Sequence, residues 1–403
     1  MLLRSTNIFA LSLFAVCWSI IVASSPILIV PGVLGNQLQA KLNKDYAPHE
    51  WCSTHSDWYT VWVSVEQLAP YVIDCFLNNT RMLFNDGKYS NCEGVQIRAP
   101  GFGNTDTVEH LDAEDFLIPY MHDLVEFFTK HGYVKGVSLR AAPYDWRLSP
   151  DLLHQVGYYD DVQNLVETMY KDNNNTSVTI VTHSLGSPTT LYFLTQVVSQ
   201  EWKDKYLKAF VPLSGVWKGA IKTLTSVISG NPEGIPLVNS LTARYLQRTT
   251  PTNYFLMPVT DHKIWSSTDP VVVTPERNYT VFDYQALFND MKYPVGYSQY
   301  KVLPTFLTEL AAPHVTTYCY YGAQVPTPST LVYKEGQFPD TPPTILTGNG
   351  DGTVNDASLE ACSVWKAAQQ SRHVKLRGFP GVSHFGMVTN NDVLQAVLEI
   401  VTN

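Results

Sequence analysis

The densest chemistry in this chain surrounds Ser184, in the run Val178-Thr179-Ile180-Val181-Thr182-His183-Ser184-Leu185-Gly186. The β-branched apolar stretch predicts a buried strand, and Leu191, Leu194, Val197 and Val198 beyond it predict one face of a helix. A serine between strand and helix, with glycine two residues on, has the layout of a nucleophile elbow, whose strained turn pushes the hydroxyl clear of the backbone. Thr182 stands two before the serine, where that layout ordinarily has glycine.

A serine hydroxyl attacks only when a base takes its proton and an acid orients the base. In α/β-hydrolases the chain order is serine, acid, histidine. Asp351 lies in Thr347-Gly348-Asn349-Gly350-Asp351-Gly352-Thr353-Val354, after the strand-like pair Ile345-Leu346. His384 lies in a loop between strand-like Val374-Lys375-Leu376 and a terminal helical stretch, Val393 to Val401. Beyond His262, His314 precedes Asp351 and His373 opens the predicted strand, which leaves His384 as the candidate base. Ile27 to Val30 reads as a buried strand ending in the tight turn Pro31-Gly32-Val33-Leu34-Gly35. Backbone N–H groups on such a turn, joined by the one after the nucleophile, can hold a developing oxyanion, so Val33 and Leu185 are the candidate donors. Each feature alone has an ordinary explanation, whether a helix start, an Asp-Gly turn or a glycine turn. Their order and spacing together favour a catalytic triad.

These residues need a scaffold. Apolar runs alternate with helical periodicity, the pattern of an α/β fold with a parallel sheet. Met121, Leu124, Val125 and Phe128 share one helical face, and Val162, Leu165, Val166 and Met169 share another; Lys208 to Leu213 and Thr316 to Tyr321 read as strands. At 403 residues and 45% hydrophobic content the chain can bury a large core, as one domain with insertions or as two. Two stretches break the alternation. From Ala47 to Cys92 aromatic and aliphatic residues crowd, among them Trp51, Trp62, Val72, Phe76 and Leu77. That crowding is either a satellite core or a membrane-docking surface. The long interval between Ser184 and Asp351 leaves room for a cap, and the Gly- and Pro-bearing stretch from Ser226 to Arg248 reads as a mobile lid.

The N-terminus, with Arg4, an apolar run from Ile8 to Val22 and then Ala23-Ser24-Ser25, predicts a secretory signal peptide over residues 1–24. An uncleaved anchor is the alternative. Asn78, Asn174, Asn175 and Asn278 each begin an N-glycosylation pattern. With Cys17 in the leader, Cys52, Cys75, Cys92, Cys319 and Cys362 remain, an odd number in an oxidising compartment. No Cys/His spacing points to a metal. A net charge of −9 with no basic cluster argues against a nucleic-acid partner.

The chain resembles the lecithin–cholesterol acyltransferase and lysosomal phospholipase A2 (group XV) family from Ile27 to its end. The resemblance rests on Pro31-Gly32-Val33-Leu34-Gly35-Asn36-Gln37-Leu38, Arg98-Ala99-Pro100-Gly101-Phe102-Gly103, Ala142-Pro143-Tyr144-Asp145-Trp146-Arg147, Trp202-Lys203-Asp204-Lys205-Tyr206 and Gly350-Asp351-Gly352-Thr353-Val354. It implies an α/β-hydrolase core over 26–46, 93–216 and 315–403, a disulfide-stapled membrane-binding domain over 47–92, and a cap over 217–314 with its lid near 226–248. It implies the triad Ser184, Asp351 and His384, oxyanion donors Val33 and Leu185, disulfides Cys52–Cys75 and Cys319–Cys362 with Cys92 left over, and no cofactor. Substrate or membrane contacts are then expected at Trp62, Val72, Phe76, Leu77 and Trp217. Valine at 33 departs from both branches, which carry aspartate in the lysosomal one and cysteine in the plasma one. Ser214-Gly215-Val216-Trp217-Lys218-Gly219 replaces the family's Ala-Pro-Trp-Gly-Gly, keeping the tryptophan. The implied activity is phospholipid acyl hydrolysis or transfer at a membrane or lipoprotein surface, with water, ceramide or a sterol as acceptor, in a secreted or lysosomal enzyme. The rival readings are a neutral-lipid or general esterase and a catalytically silent lipid carrier.

Overall fold

A computed structural model describes residues 24–64, 66–69, 71–112, 118–232 and 238–403. The predicted leader, apart from Ser24, and the central residues 233–237 of the predicted lid lie outside the described residues.

Six strands make the central sheet: β1 (Ile27–Val30), β2 (Leu139–Ala141), β3 (Val178–His183), β4 (Leu207–Leu213), β5 (Thr317–Ala323) and β6 (Val374–Pro380). They lie side by side in the order β6-β5-β4-β3-β1-β2, and every neighbouring pair is parallel. Parallel strands are covered on both faces by helices, so their side chains alternate between two cores. Ile27 and Ile29 of β1 join Val181 of β3 in one core, and Leu28 and Val30 join Ile180 in the other. The helices that bear on the site are α1 (Ile73–Thr80), α2 (His122–Lys130), α3 (Tyr158–Asp172), α4 (Gly186–Tyr192), α5 (Lys222–Ile228), α6 (Ser240–Gln247) and α7 (Asn391–Thr402). Leu124, Val125 and Phe128 of α2 cover the first face with Val393 and Val397 of α7. Val162, Leu165, Val166 and Met169 of α3 cover the second with Leu191 of α4. Spacing by three and four residues puts each set on one stripe. The Asn390 side chain caps α7 by accepting from the N–H groups of Asp392 and Val393. After α4 the helix passes into a π-helical turn, Phe193–Val197. The extra residue per turn rotates the stripe, so Phe193 is buried and the predicted Val197 and Val198 are only half-buried.

The 47–92 segment does not stand alone. His55–Trp62 pairs with Leu38–Asn43, which pairs with Val95–Arg98. Its helix α1 turns Phe76 (3% exposed) and Leu77 (8%) inward, where they join the main core with Trp62 and Leu68. The expectation that Phe76 and Leu77 form an exposed docking surface is therefore corrected. A two-turn helix beside a deep cavity loses its apolar face to that cavity. The cap differs from expectation too. Its four-stranded sheet, in the order Asn278–Tyr279, Val272–Val273, Thr327–Val332, Thr344–Gly348, takes two strands from beyond residue 314.

Lys218 points into the cap. Its Nζ donates to Asp261 Oδ2 and to the Thr308 carbonyl, each at 2.8 Å, and the lysine is 4% exposed. Lys218→Ala is expected to destabilise the protein by about 3 kcal/mol by leaving the Asp261 carboxylate unpaired, while Lys218→Ala/Asp261→Leu recovers part of that loss. Urea unfolding of the two variants checks this, and equal midpoints for wild type and Lys218→Ala would refute it.

Candidate active site

The elbow begins where β3 must reverse into α4 over the same sheet. Ser184 takes φ +53°, a left-handed conformation that costs a non-glycine residue about 1 kcal/mol or more. Its N–H donates to the Leu213 carbonyl at the end of β4 (3.0 Å), and its carbonyl accepts from Ser187 (3.0 Å). Gly186 is required by proximity, since a Cβ there would lie 2.4 Å from the carbonyl oxygens of Val30 and Pro31. Thr182 fits where glycine is ordinary because its hydroxyl is hydrogen-bonded to Ser187 Oγ at 2.8 Å across the elbow.

Beside it, Gly32 to Gly35 form a turn closed by Gly35 N–H on the Gly32 carbonyl (3.1 Å), with Leu34 at φ +60°. A Cβ on Gly32 would lie 2.9 Å from Ser184 Cβ, so the turn abuts the serine. Among the described residues the N–H groups of Val33 and Leu185 donate no hydrogen bond, leaving both available to an oxygen held at Ser184.

Asp351 reaches the end of the sheet by an unexpected route. The strand before it, Thr344–Gly348, belongs to the exposed edge of the cap sheet. A parallel bridge between Val325 and Asp351 returns the acid to the end of β5. Asp351 is fully buried. Oδ1 accepts from the N–H groups of Thr353 (3.0 Å) and Val354 (2.7 Å), and Oδ2 is 2.6 Å from His384 Nδ1. Burial alone would raise this carboxyl, but His384 and the two N–H groups outweigh it and hold it below the usual carboxylate range. It therefore stays ionised in mildly acidic solution. The Asp351 carbonyl also accepts from His384 N–H at 2.6 Å, which ties the Asp351 and His384 loops together.

Ser184, His384 and Val33 open onto one cavity of about 470 Å³. Trp62, Leu68, Phe76 and Leu77 form one apolar wall, Ala243 and Leu246 of α6 form another, and Lys222 brings a cation to it. Phe76, Leu77 and Trp62 thus face the space a substrate would fill. Trp217 does not. It is 1% exposed and packs edge-on against Trp365 and Phe210, so its expected substrate contact is corrected to a core role. Val72 is half-buried at the start of α1. The bridges Cys52–Cys75 and Cys319–Cys362 are closed and Cys92 is a thiol. Asn174, Asn175 and Asn278 are exposed, while the half-buried Asn78 accepts from Lys44 Nζ at 3.1 Å. Sequence reasoning missed Lys222, Tyr120 and His183, all on the cavity wall. His183 adjoins the serine, but nothing in the local sequence of the other two marks them.

A parallel sheet with helices on both faces, a serine on a left-handed turn at a strand end, and a buried carboxylate bonded to a histidine at neighbouring strand ends define an α/β-hydrolase. In the crystal structure of the Tle4-Tli4 complex, one chain shares this fold with a TM-score of 0.52 over 94% of this chain and 98% of that one, at 13% identity. The sequence matches the family described as Lecithin:cholesterol acyltransferase over residues 58–311 and 296–391. It is 38% identical over 373 residues to the lysosomal phospholipase A and acyltransferase of Bos taurus, covering 92% of this chain and 89% of the relative. It is 38% identical over 380 residues to the phosphatidylcholine-sterol acyltransferase of Homo sapiens, covering 93% and 84%. The chain belongs to the lecithin:cholesterol acyltransferase family and is an enzyme of the hydrolase/acyltransferase class.

Proposed function

We propose that this enzyme is a glycerophospholipid acyl hydrolase and O-acyltransferase that works through an acyl-enzyme on Ser184. The convergence of Ser184, the His384–Asp351 pair and an apolar cavity carries this reading. Ser184 Oγ attacks the ester carbonyl as His384 Nε2 takes its proton, and Asp351 holds the imidazole and steadies its charge. The N–H groups of Val33 and Leu185 receive the oxyanion. The tetrahedral intermediate collapses, the lysophospholipid alkoxide leaves with the proton from His384, and the acyl group stays on Ser184. Water, or a lipid alcohol such as ceramide or a sterol, then gives its proton to His384 and takes the acyl group. The relatives' names support the phospholipid and sterol classes. No cofactor takes part in these steps, and the reading goes with passage through the secretory pathway to the lysosome or the exterior.

Mass spectrometry of products from phospholipid vesicles, with and without ceramide or cholesterol, from pH 4 to 8, tests the reading. Fatty acid and lysophospholipid, with acylated acceptor when one is supplied, are expected. Cleavage of triolein emulsions without cleavage of phospholipid would overturn it in favour of the neutral esterase.

Docking to a lipid surface rests on different residues from those expected. Trp51 and Tyr71 are 60% and 80% exposed on the satellite, joined by Trp51 Nε1–H donating to the Tyr71 carbonyl at 2.8 Å. A net charge of −9 gives no attraction to anionic lipid, so apolar insertion must supply the binding. At roughly 1.5–3 kcal/mol per buried large side chain, the two together amount to about 3–6 kcal/mol, so Trp51→Ser/Tyr71→Ser should cut activity on vesicles by about 100-fold or more. Hydrolysis of p-nitrophenyl butyrate should not change. Phe76→Ser, on the cavity wall, should lower both. A parallel fall of both activities in the Trp51/Tyr71 variant would mean that the pair serves packing instead.

A further inference from the structure

Two buried polar groups beside Ser184 have no role in the chemistry above. The Tyr120 hydroxyl accepts from Gly32 N–H at 3.0 Å and lies 2.5 Å from His183 Nδ1. His183 Nε2 lies 2.9 Å from the carbonyl oxygen of His384. A carbonyl only accepts, so Nε2 carries the proton and donates. A neutral imidazole then has a lone pair at Nδ1, and the Tyr120 O–H donates to it. The phenolic oxygen keeps a lone pair for Gly32. One arrangement of protons satisfies every group, and it joins the oxyanion turn, the end of β3 and the loop of the base.

We propose that Tyr120 and His183 form an uncharged hydrogen-bonded strut that fixes the oxyanion turn, Ser184 and His384 relative to one another, making both positioning residues for acyl transfer. The proposal rests on the Ser184–His384–Asp351 reading. Chemistry explains why the strut must be neutral. His384 becomes cationic when it takes the serine proton, and its ring centroid is 4.8 Å from that of His183. A second cation there would oppose that step. Burial pulls His183 down to about 3 and the neighbouring His384 pushes the same way, against the His384 carbonyl and the more distant Asp351 carboxylate. Burial likewise keeps the Tyr120 phenol protonated. The packing leaves no slack, because a Cβ on Gly32 would lie 2.9 Å from the Tyr120 hydroxyl and one on Gly35 would lie 2.5 Å from the Tyr120 ring. Loss of the strut frees the turn and the base loop to drift, and a misplacement of about 1 Å can cost on the order of 10²-fold in rate.

The test compares Tyr120→Phe, His183→Ala, His183→Gln and Tyr120→Phe/His183→Ala with wild type. It reads labelling of Ser184 by a small fluorophosphonate, kcat and KM on p-nitrophenyl butyrate, and thermal melting. Tyr120→Phe and His183→Ala are expected to slow labelling and kcat by roughly 10- to 100-fold with KM within about twofold. His183→Gln carries an amide N–H close to the place of Nε2 and should regain most of the lost rate. The double variant should be no slower than His183→Ala, because one chain of bonds is broken only once. Wild-type rates in Tyr120→Phe, no recovery in His183→Gln, or multiplied losses in the double variant would overturn the strut. Should His183→Ala fail to fold, Tyr120→Phe, which deletes one oxygen, decides alone. Absence of label on Ser184 in wild type would instead refute the triad reading.

Discussion

Ser184→Ala is expected to lower turnover of phospholipid and of p-nitrophenyl butyrate by about 10⁴-fold or more, the scale of losing a triad nucleophile. The fold should survive. The Ser184 backbone makes its bonds to Leu213 and Ser187 through N–H and C=O, which alanine keeps. Among the described residues the Ser184 hydroxyl makes no hydrogen bond to protein, so its deletion leaves no orphaned partner. Alanine suffers the left-handed φ of +53° about as much as serine does. Stability should therefore change by no more than about 0.5 kcal/mol. Steady-state assays on both substrates, with a thermal melt, check the pair of claims. Retention of more than a per cent or so of turnover by a well-folded Ser184→Ala would remove Ser184 from the mechanism. Because serine and base act as a unit, adding His384→Ala to Ser184→Ala should cost little further.

The parts of the site that sit on their own chain neighbours were legible in the sequence. A β-branched run, a serine and a glycine locate the end of β3, and Pro31 to Gly35 locate the end of β1, because strand, turn and helix signals are local. Asp351 follows a strand, as Ile345-Leu346 predict, but not a strand of the central sheet. The strand before it is exposed and belongs to the cap, and the acid reaches the core through its bridge to Val325. Aromatic density between Ala47 and Cys92 could not tell a cavity wall from a docking face. Phe76 and Trp51 look alike in sequence, yet one is 3% and the other 60% exposed, because only the folded chain decides that α1 turns Phe76 inward while Trp51, outside that helix, stays at the surface. Tyr120 stayed invisible for a related reason: its partner His183 is 63 residues away, and no short-range pattern encodes that contact.

Asp351→Asn should cost about 10⁴-fold in kcat with little change in KM, for a reason of proton placement. Oδ1 of the acid is committed to the N–H groups of Thr353 and Val354, at 3.0 and 2.7 Å. Asparagine must keep its oxygen there, since turning the amide would set its NH₂ against two donors. The NH₂ then faces His384 Nδ1, which the carboxylate holds at 2.6 Å. To meet a donor, Nδ1 must give up its proton, and the imidazole carries it on Nε2 instead. That nitrogen is then a donor toward Ser184 and cannot act as its base. The charge that steadied the imidazolium is gone as well. Residual turnover should rise with pH, because solvent hydroxide is then the remaining base. Stability offers an independent check. The Asp351 carboxyl is held below its ordinary value of 3.8. Its contribution to folding is therefore fully present above that value and is lost as pH falls through the lower folded value. Thermal melts of wild type should decline over this acid range more steeply than those of Asp351→Asn, which has no proton to take up at that position. A variant with near-wild-type kcat would mean that the carboxylate does not set the His384 tautomer. Identical acid limbs in the two melting profiles would mean that it makes no such contribution to stability.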